Sequence, residues 1–86
     1  MEYPTINLVA TGRSISDCMA GRGLKVADVC EFMGFVNPQA VYKWKRGETL
    51  PSVDNLMALS RLLNVSVESL IVMNETEEAE MLPLAS

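Results

Sequence analysis

"GLKVADVCEFMGFVNPQAVYKWKRG", residues 23 to 47, carries two apolar stripes at helical spacing, separated by a short linker that begins with a glycine. In the first half Val26, Val29, Cys30 and Met33 recur every three or four residues, the repeat of one helix face. Gly34 stops that helix, since a chain leaving a helix commonly needs one left-handed residue. Pro38 suits a first helical position, and Asn37 before it is a natural N-cap. Gly47 ends the second helix in its turn. Two short helices joined by about four residues including a glycine form a helix-turn-helix arrangement.

On a wheel of about 100° per residue, Val41 and Trp44 of the second helix fall within about 60° and make an inward stripe. That spacing reads Trp44 as a core anchor rather than an aromatic kept free for a ligand. Gln39, Lys43 and Arg46 share another arc of about 60°, roughly opposite. Gln can donate and accept at adenine, and Lys and Arg donate to guanine and to phosphate. A cationic outer face on a short helix is usually just solvation. Its position immediately after the turn of a two-helix unit gives it a second meaning, because a recognition helix sits there.

The chain has only seven Lys and Arg against eleven Asp and Glu, net −4, which looks wrong for an anionic partner. The charge is uneven, however. Residues 13 to 64 hold all seven bases and five acids (Asp17, Asp28, Glu31, Glu48 and Asp54), a net of +2. Residues 65 to 86 hold five glutamates and no base. An acidic tail on a mildly basic domain leaves a nucleic-acid partner open.

Working outward, "INLVATGRSISDCMAGRG" places Leu8, Ile15 and Met19, with Cys18 beside it, at helical spacing before Gly21 and Gly23. "LPSVDNLMALSRLLN" reads as a helix capped by Ser52, with Leu56, Leu59, Leu62 and Leu63 inward and Asn64 closing it. Ser66 caps a last short helix carrying Val67, Leu70 and Ile71. No stretch alternates cleanly enough for a sheet. The expectation is an all-α fold of five short helices. It divides into an N-terminal extension at 1–6, a domain at 7–73 and an acidic, solvated tail at 74–86. Eighty-six residues suit one small core. No apolar run reaches membrane-spanning length and no leader pattern opens the chain, so a soluble, cytoplasmic protein without membrane contact is expected. With no His and only Cys18 and Cys30, zinc ligation is nearly excluded; the two thiols could pair in principle, but free, partly buried thiols are the favoured reading. No cofactor is indicated.

Several motifs together resemble the Cro/repressor-type, or lambda-repressor-like, helix-turn-helix family. They are "RGL" before the first helix of the pair, small Cys30, Gly34 in the turn, "QAVYKW", the "RG" that follows, Pro51 and "LSRLLNVSVESL". The resemblance covers about residues 12 to 72 and implies five helices, double-stranded operator DNA as partner, homodimers and transcriptional control, usually repression. By position it implies that Gln39, Ala40 and Lys43 face base edges, with Asn37 and Pro38 at the groove entrance and the recognition helix at about 38–46. It also implies phosphate contacts from Lys25, Arg46 and Thr49. Three features depart from the family pattern. The stretch from Gly34 to Trp44 is one residue longer than usual, Lys25 stands where Ser or Thr often caps a helix, and Met19 and Lys45 replace a frequent Arg–Glu pair.

A homodimer also follows from the symmetry of DNA half-sites, with Leu70, Ile71, Val72 and Met73, an apolar surplus at the end of the last helix, as its contact; the alternative for these four is completion of the monomer's own core. The alternative is a protein-interaction module, such as an antitoxin or adaptor, whose acidic tail with "MLPL" (81–84) folds on a protein partner. An enzyme is disfavoured by the lack of any nucleophile–base pair, phosphate loop or metal set.

Overall fold

The computed structural model describes residues 4–74. The helices are α1 (Leu8–Gly21), α2 (Val26–Met33), α3 (Gln39–Arg46), α4 (Val53–Leu63) and α5 (Val67–Leu70), the all-α architecture expected from the sequence. Nearly all of the expected acidic tail, "MLPL" included, lies outside the described residues.

Each start and stop has a local cause. Asn7 Oδ1 accepts from Ala10 N–H at 2.9 Å, and Ser52 and Ser66 do the same for Asn55 and Ser69. These bonds satisfy donors that a helix N-terminus otherwise leaves open. At α2 the cap residue is Lys25, whose ammonium cannot accept a hydrogen bond. Asp28 supplies the reciprocal bond instead, its carboxylate accepting from Lys25 N–H at 2.7 Å. α4 ends at Asn64, left-handed at φ 58°, with Val65 N–H donating back to Ser60 C=O at 3.0 Å.

The core consists of Ile15, Met19, Val29, Val41, Trp44, Leu56, Leu59, Leu63 and Leu70. Leu24, Phe35 and Val65, each two or three residues beyond a helix end, pack against it. Met19, where the family pattern places an arginine, is buried, so no charge is taken into the core at this position. Cys18 and Cys30 are free thiols, both half-buried. No described helix is long and apolar enough to cross a membrane.

Three expectations need correction. Leu8 is exposed: the inner stripe at that end of α1 is Thr11 and Gly12, which admit neighbouring backbone rather than another side chain. α3 begins one residue later than Pro38, after a five-residue turn, 34–38. The last helix stops at Leu70, and Ile71 to Met73 continue as non-helical chain. Met73 there bridges Ile6 in an antiparallel pair, with Asn7 N–H to Val72 C=O at 2.8 Å and Asn74 N–H to Thr5 C=O at 2.7 Å. The buried Thr11 hydroxyl accepts from Val72 N–H at 2.9 Å, fastening the same strap to α1. The expected boundary between residues 6 and 7 therefore runs through a paired segment.

α1 and α3 approach each other backbone to backbone at two glycines. A Cβ placed on Gly12 would lie 2.7 Å from Lys45 C=O and closer still to Trp44 C=O. One placed on Gly47 would lie 2.6 Å from Val9 Cα. Gly12→Ala is expected to destabilise the protein by about 1–3 kcal/mol through overpacking, despite Ala's better helix propensity. Gly21→Ala, with nothing within 4 Å, is expected to be neutral or stabilising by up to about 1 kcal/mol. Denaturant unfolding of both variants checks the pair, and equal effects would contradict the close crossing.

Candidate nucleic-acid interface

The α2–α3 turn is fixed at both ends. Gly34, at φ 78°, lets Phe35 N–H reach Cys30 C=O at 2.9 Å while Gly34 N–H reaches Glu31 C=O at 3.3 Å. This is a Schellman closure, which satisfies two carbonyls at the helix end. The Phe35 ring then meets Trp44 edge-on, centroids 5.9 Å apart. At the far end Asn37 Oδ1 accepts from Gln39 N–H at 3.1 Å, so Asn37 does the capping although helical hydrogen bonding starts from Pro38. The extra turn residue leaves Val36 fully exposed.

α3 shows opposite faces. Val41 and Trp44 are buried, and Ala40 and Lys45 flank them half-buried. Gln39, Tyr42, Lys43 and Arg46 are exposed together on the outer side. Of the residues expected near bases, Gln39 and Lys43 therefore share the open face, Ala40 lies at its edge, and Asn37 and Pro38 lead into it, both exposed. Lys25 and Thr49 are also exposed. Lys25 lies at the start of α2 and Thr49 lies beyond α3, which places them at the periphery.

The C-terminus of α3 is closed like that of α2. Gly47 takes φ 78°, Glu48 N–H donates to Lys43 C=O at 2.9 Å and Gly47 N–H to Trp44 C=O at 3.1 Å. Glu48 is thereby brought back beside the exposed face, where its carboxylate Oε2 accepts from Arg46 Nε. That hydrogen bond raises the Arg46 pKa and lowers that of Glu48, with Lys43 adding a smaller electrostatic pull on Glu48. Both groups are charged at neutral pH.

Sequence reasoning missed three residues here. Tyr42 joins the open face, as its wheel position about 40° from Arg46 already implies. Glu48 directly follows the helix-ending glycine, and that position is the signal that sets it apart from the other acids. Gly12, mid-helix at a cost of about 1 kcal/mol against Ala, was a signal of close backbone approach.

A two-helix unit with a rigid turn and a donor-bearing second helix is the structural definition of a helix-turn-helix protein. The family model described as Helix-turn-helix matches residues 15–70, and the chain belongs to that family, one of DNA-binding transcription regulators. Among solved structures it is similar to the restriction-modification controller protein C.AhdI from Aeromonas hydrophila. The two share 22% identity over 73% of this chain and 94% of that one, with a TM-score of 0.66. It is also similar to Apo-HppE, at 17% identity over 85% of this chain but only 41% of that one, with a TM-score of 0.70. At these identities the likeness is one of fold. No curated protein matches the chain.

Because Asn37 combines a cap with a place at the groove entrance, two substitutions separate its roles. Asn37→Ala is expected to cost about 1 kcal/mol of stability by removing the cap acceptor. Asn37→Asp keeps the acceptor and the stability but weakens DNA binding by placing a negative charge at the entrance. Thermal unfolding and duplex titration, run side by side, check the separation.

Proposed function

We propose that the protein is a sequence-specific repressor that binds an inverted-repeat operator as a homodimer, with α3 in the major groove of each half-site. The carrying observation is the exposed face of Gln39, Tyr42, Lys43 and Arg46, set on a helix whose other face is locked into the core by Val41 and Trp44. An α-helix fits the B-DNA major groove, where these donors can distinguish base pairs. Gln39 and Lys43 take the base-reading roles, with Asn37, Pro38 and Ala40 against the groove entrance and wall. Lys25 and Thr49 contact phosphate, which positions the chain without specifying sequence.

The dimer contact is assigned to the strap after α5. Val72 and Met73 are exposed, and half-buried Ile71 lines an apolar groove with Val67, Glu68 and Met73. Leu70 is fully buried in its own subunit and takes no direct part in that contact. Repression follows from occupancy, because a dimer spanning two half-sites one helical turn apart, about 34–36 Å, excludes other proteins from that stretch.

Selection of duplexes from a random library, with the mass of the complex measured by sedimentation, tests the proposal. An enriched inverted repeat bound by two chains supports it. Binding without sequence enrichment contradicts it and favours action through a protein partner. On the selected duplex, Gln39→Ala is expected to cost about 1–3 kcal/mol and to relax preference at one base pair. Lys25→Ala is expected to weaken all duplexes alike and to reduce the salt slope by about one unit.

A further inference from the structure

Arg46 sits where the family resemblance implies only a phosphate contact, yet its arrangement with Glu48 is more specific than that. The pair is exposed, with about half of each side chain accessible (52% and 49%), and in water such a pair contributes little to stability. Its geometry nevertheless has a fixed base. Glu48 is held by its own N–H to Lys43 C=O, and the preceding Gly47 abuts the backbone of Val9 in α1. The carboxylate is thus presented from the closed end of α3 rather than from a loose loop.

The bond to Glu48 uses Arg46 Nε. A guanidinium has five N–H donors in a planar fork, so the four on its terminal nitrogens stay free. That end is the one that pairs bidentately with guanine O6 and N7. Arg46 also shares the exposed face of α3 with Gln39 and Lys43. A phosphate is poorly suited to this place, because it would approach the Glu48 carboxylate, of like charge. A guanine edge brings no net charge and presents two acceptors.

We infer that Glu48 is a positioning residue that braces Arg46 to read a guanine in the major groove, and that Arg46 is a base contact rather than a phosphate contact. This rests on the DNA-reading function proposed above. Glu48 also acts against non-specific binding, since its charge discourages backbone phosphates from settling on Lys43 and Arg46 at the end of α3. Within the water-poor interface the brace gains strength, because the charge-assisted bond is no longer competing with bulk solvent.

The test uses the full chain, its best selected duplex, versions of that duplex altered at each base pair, and a random duplex, titrated across salt concentrations. Arg46→Ala is expected to weaken the best duplex by roughly tenfold to a hundredfold and to erase preference for guanine at one position. Its binding to random DNA and its salt slope should hardly change. Glu48→Gln is expected to strengthen random-duplex binding while weakening preference at that same position, lowering the specificity ratio; circular dichroism checks that its fold is kept. Equal loss on all duplexes for Arg46→Ala, with the salt slope reduced by about one unit, would overturn the inference and make Arg46 a phosphate contact. Unchanged preference in Glu48→Ala, which removes the acceptor that Gln keeps, would overturn the brace. A wild-type chain that selects no sequence would remove the DNA-reading function itself and this inference with it, an outcome distinct from any variant's failure.

Discussion

The backbone-to-backbone crossing of α1 and α3 governs the rest of the structure. Gly12 lies under the Trp44 and Lys45 carbonyls, and Gly47 lies against Val9. At this separation the two helices cannot slide or rotate without collision, so the orientation of α3 is set by hard contact rather than by a deformable apolar layer. Trp44 and Val41 then fill the core from the same helix, which fixes by elimination the residues left facing out. The strap of Thr5–Asn7 with Val72–Asn74, fastened by Thr11, secures the N-terminal side of α1 on which this crossing depends.

The electrostatics follow from that rigidity. A chain with only seven basic residues cannot rely on a broad positive surface to hold DNA, because non-specific affinity grows with the number of phosphates neutralised. A sparse set of donors at fixed positions favours discrimination over raw affinity, provided each is held in place. Asn37 caps the helix that carries Gln39, and Glu48 pairs with Arg46 at the other end. The acid that lowers the net charge thus lies among the donors and constrains one of them.

Much of this was legible in the sequence. Periodicity and punctuation placed all five helices, and the inward pair Val41 and Trp44 with the outward set Gln39, Lys43 and Arg46 followed from one wheel. What escaped were features that depend on contacts distant in the chain. Nothing local marks Thr11 as the partner of Val72, 61 residues away, or shows that Ile71 to Met73 leave the helix to pair with the N-terminal segment. Local pattern places Leu70 in an apolar run with Ile71 to Met73, whereas its complete burial assigns it to the monomer's core. Glu48 is the exception: the left-handed Gly47 beside it turns it back to α3, and a helix wheel does not follow a residue beyond the helix end.

The surface proposed to meet DNA is the outer face of α3, held by its crossing with α1. Amide and side-chain NMR shifts of the labelled chain during titration with its selected duplex test this most directly. The largest changes are expected at Asn37, Gln39, Lys43, Arg46 and the Gln39 side-chain amide, with the outer face of α4 around Met57 and Arg61 little affected. Shifts centred on α4, with α3 unperturbed at saturation, would contradict it.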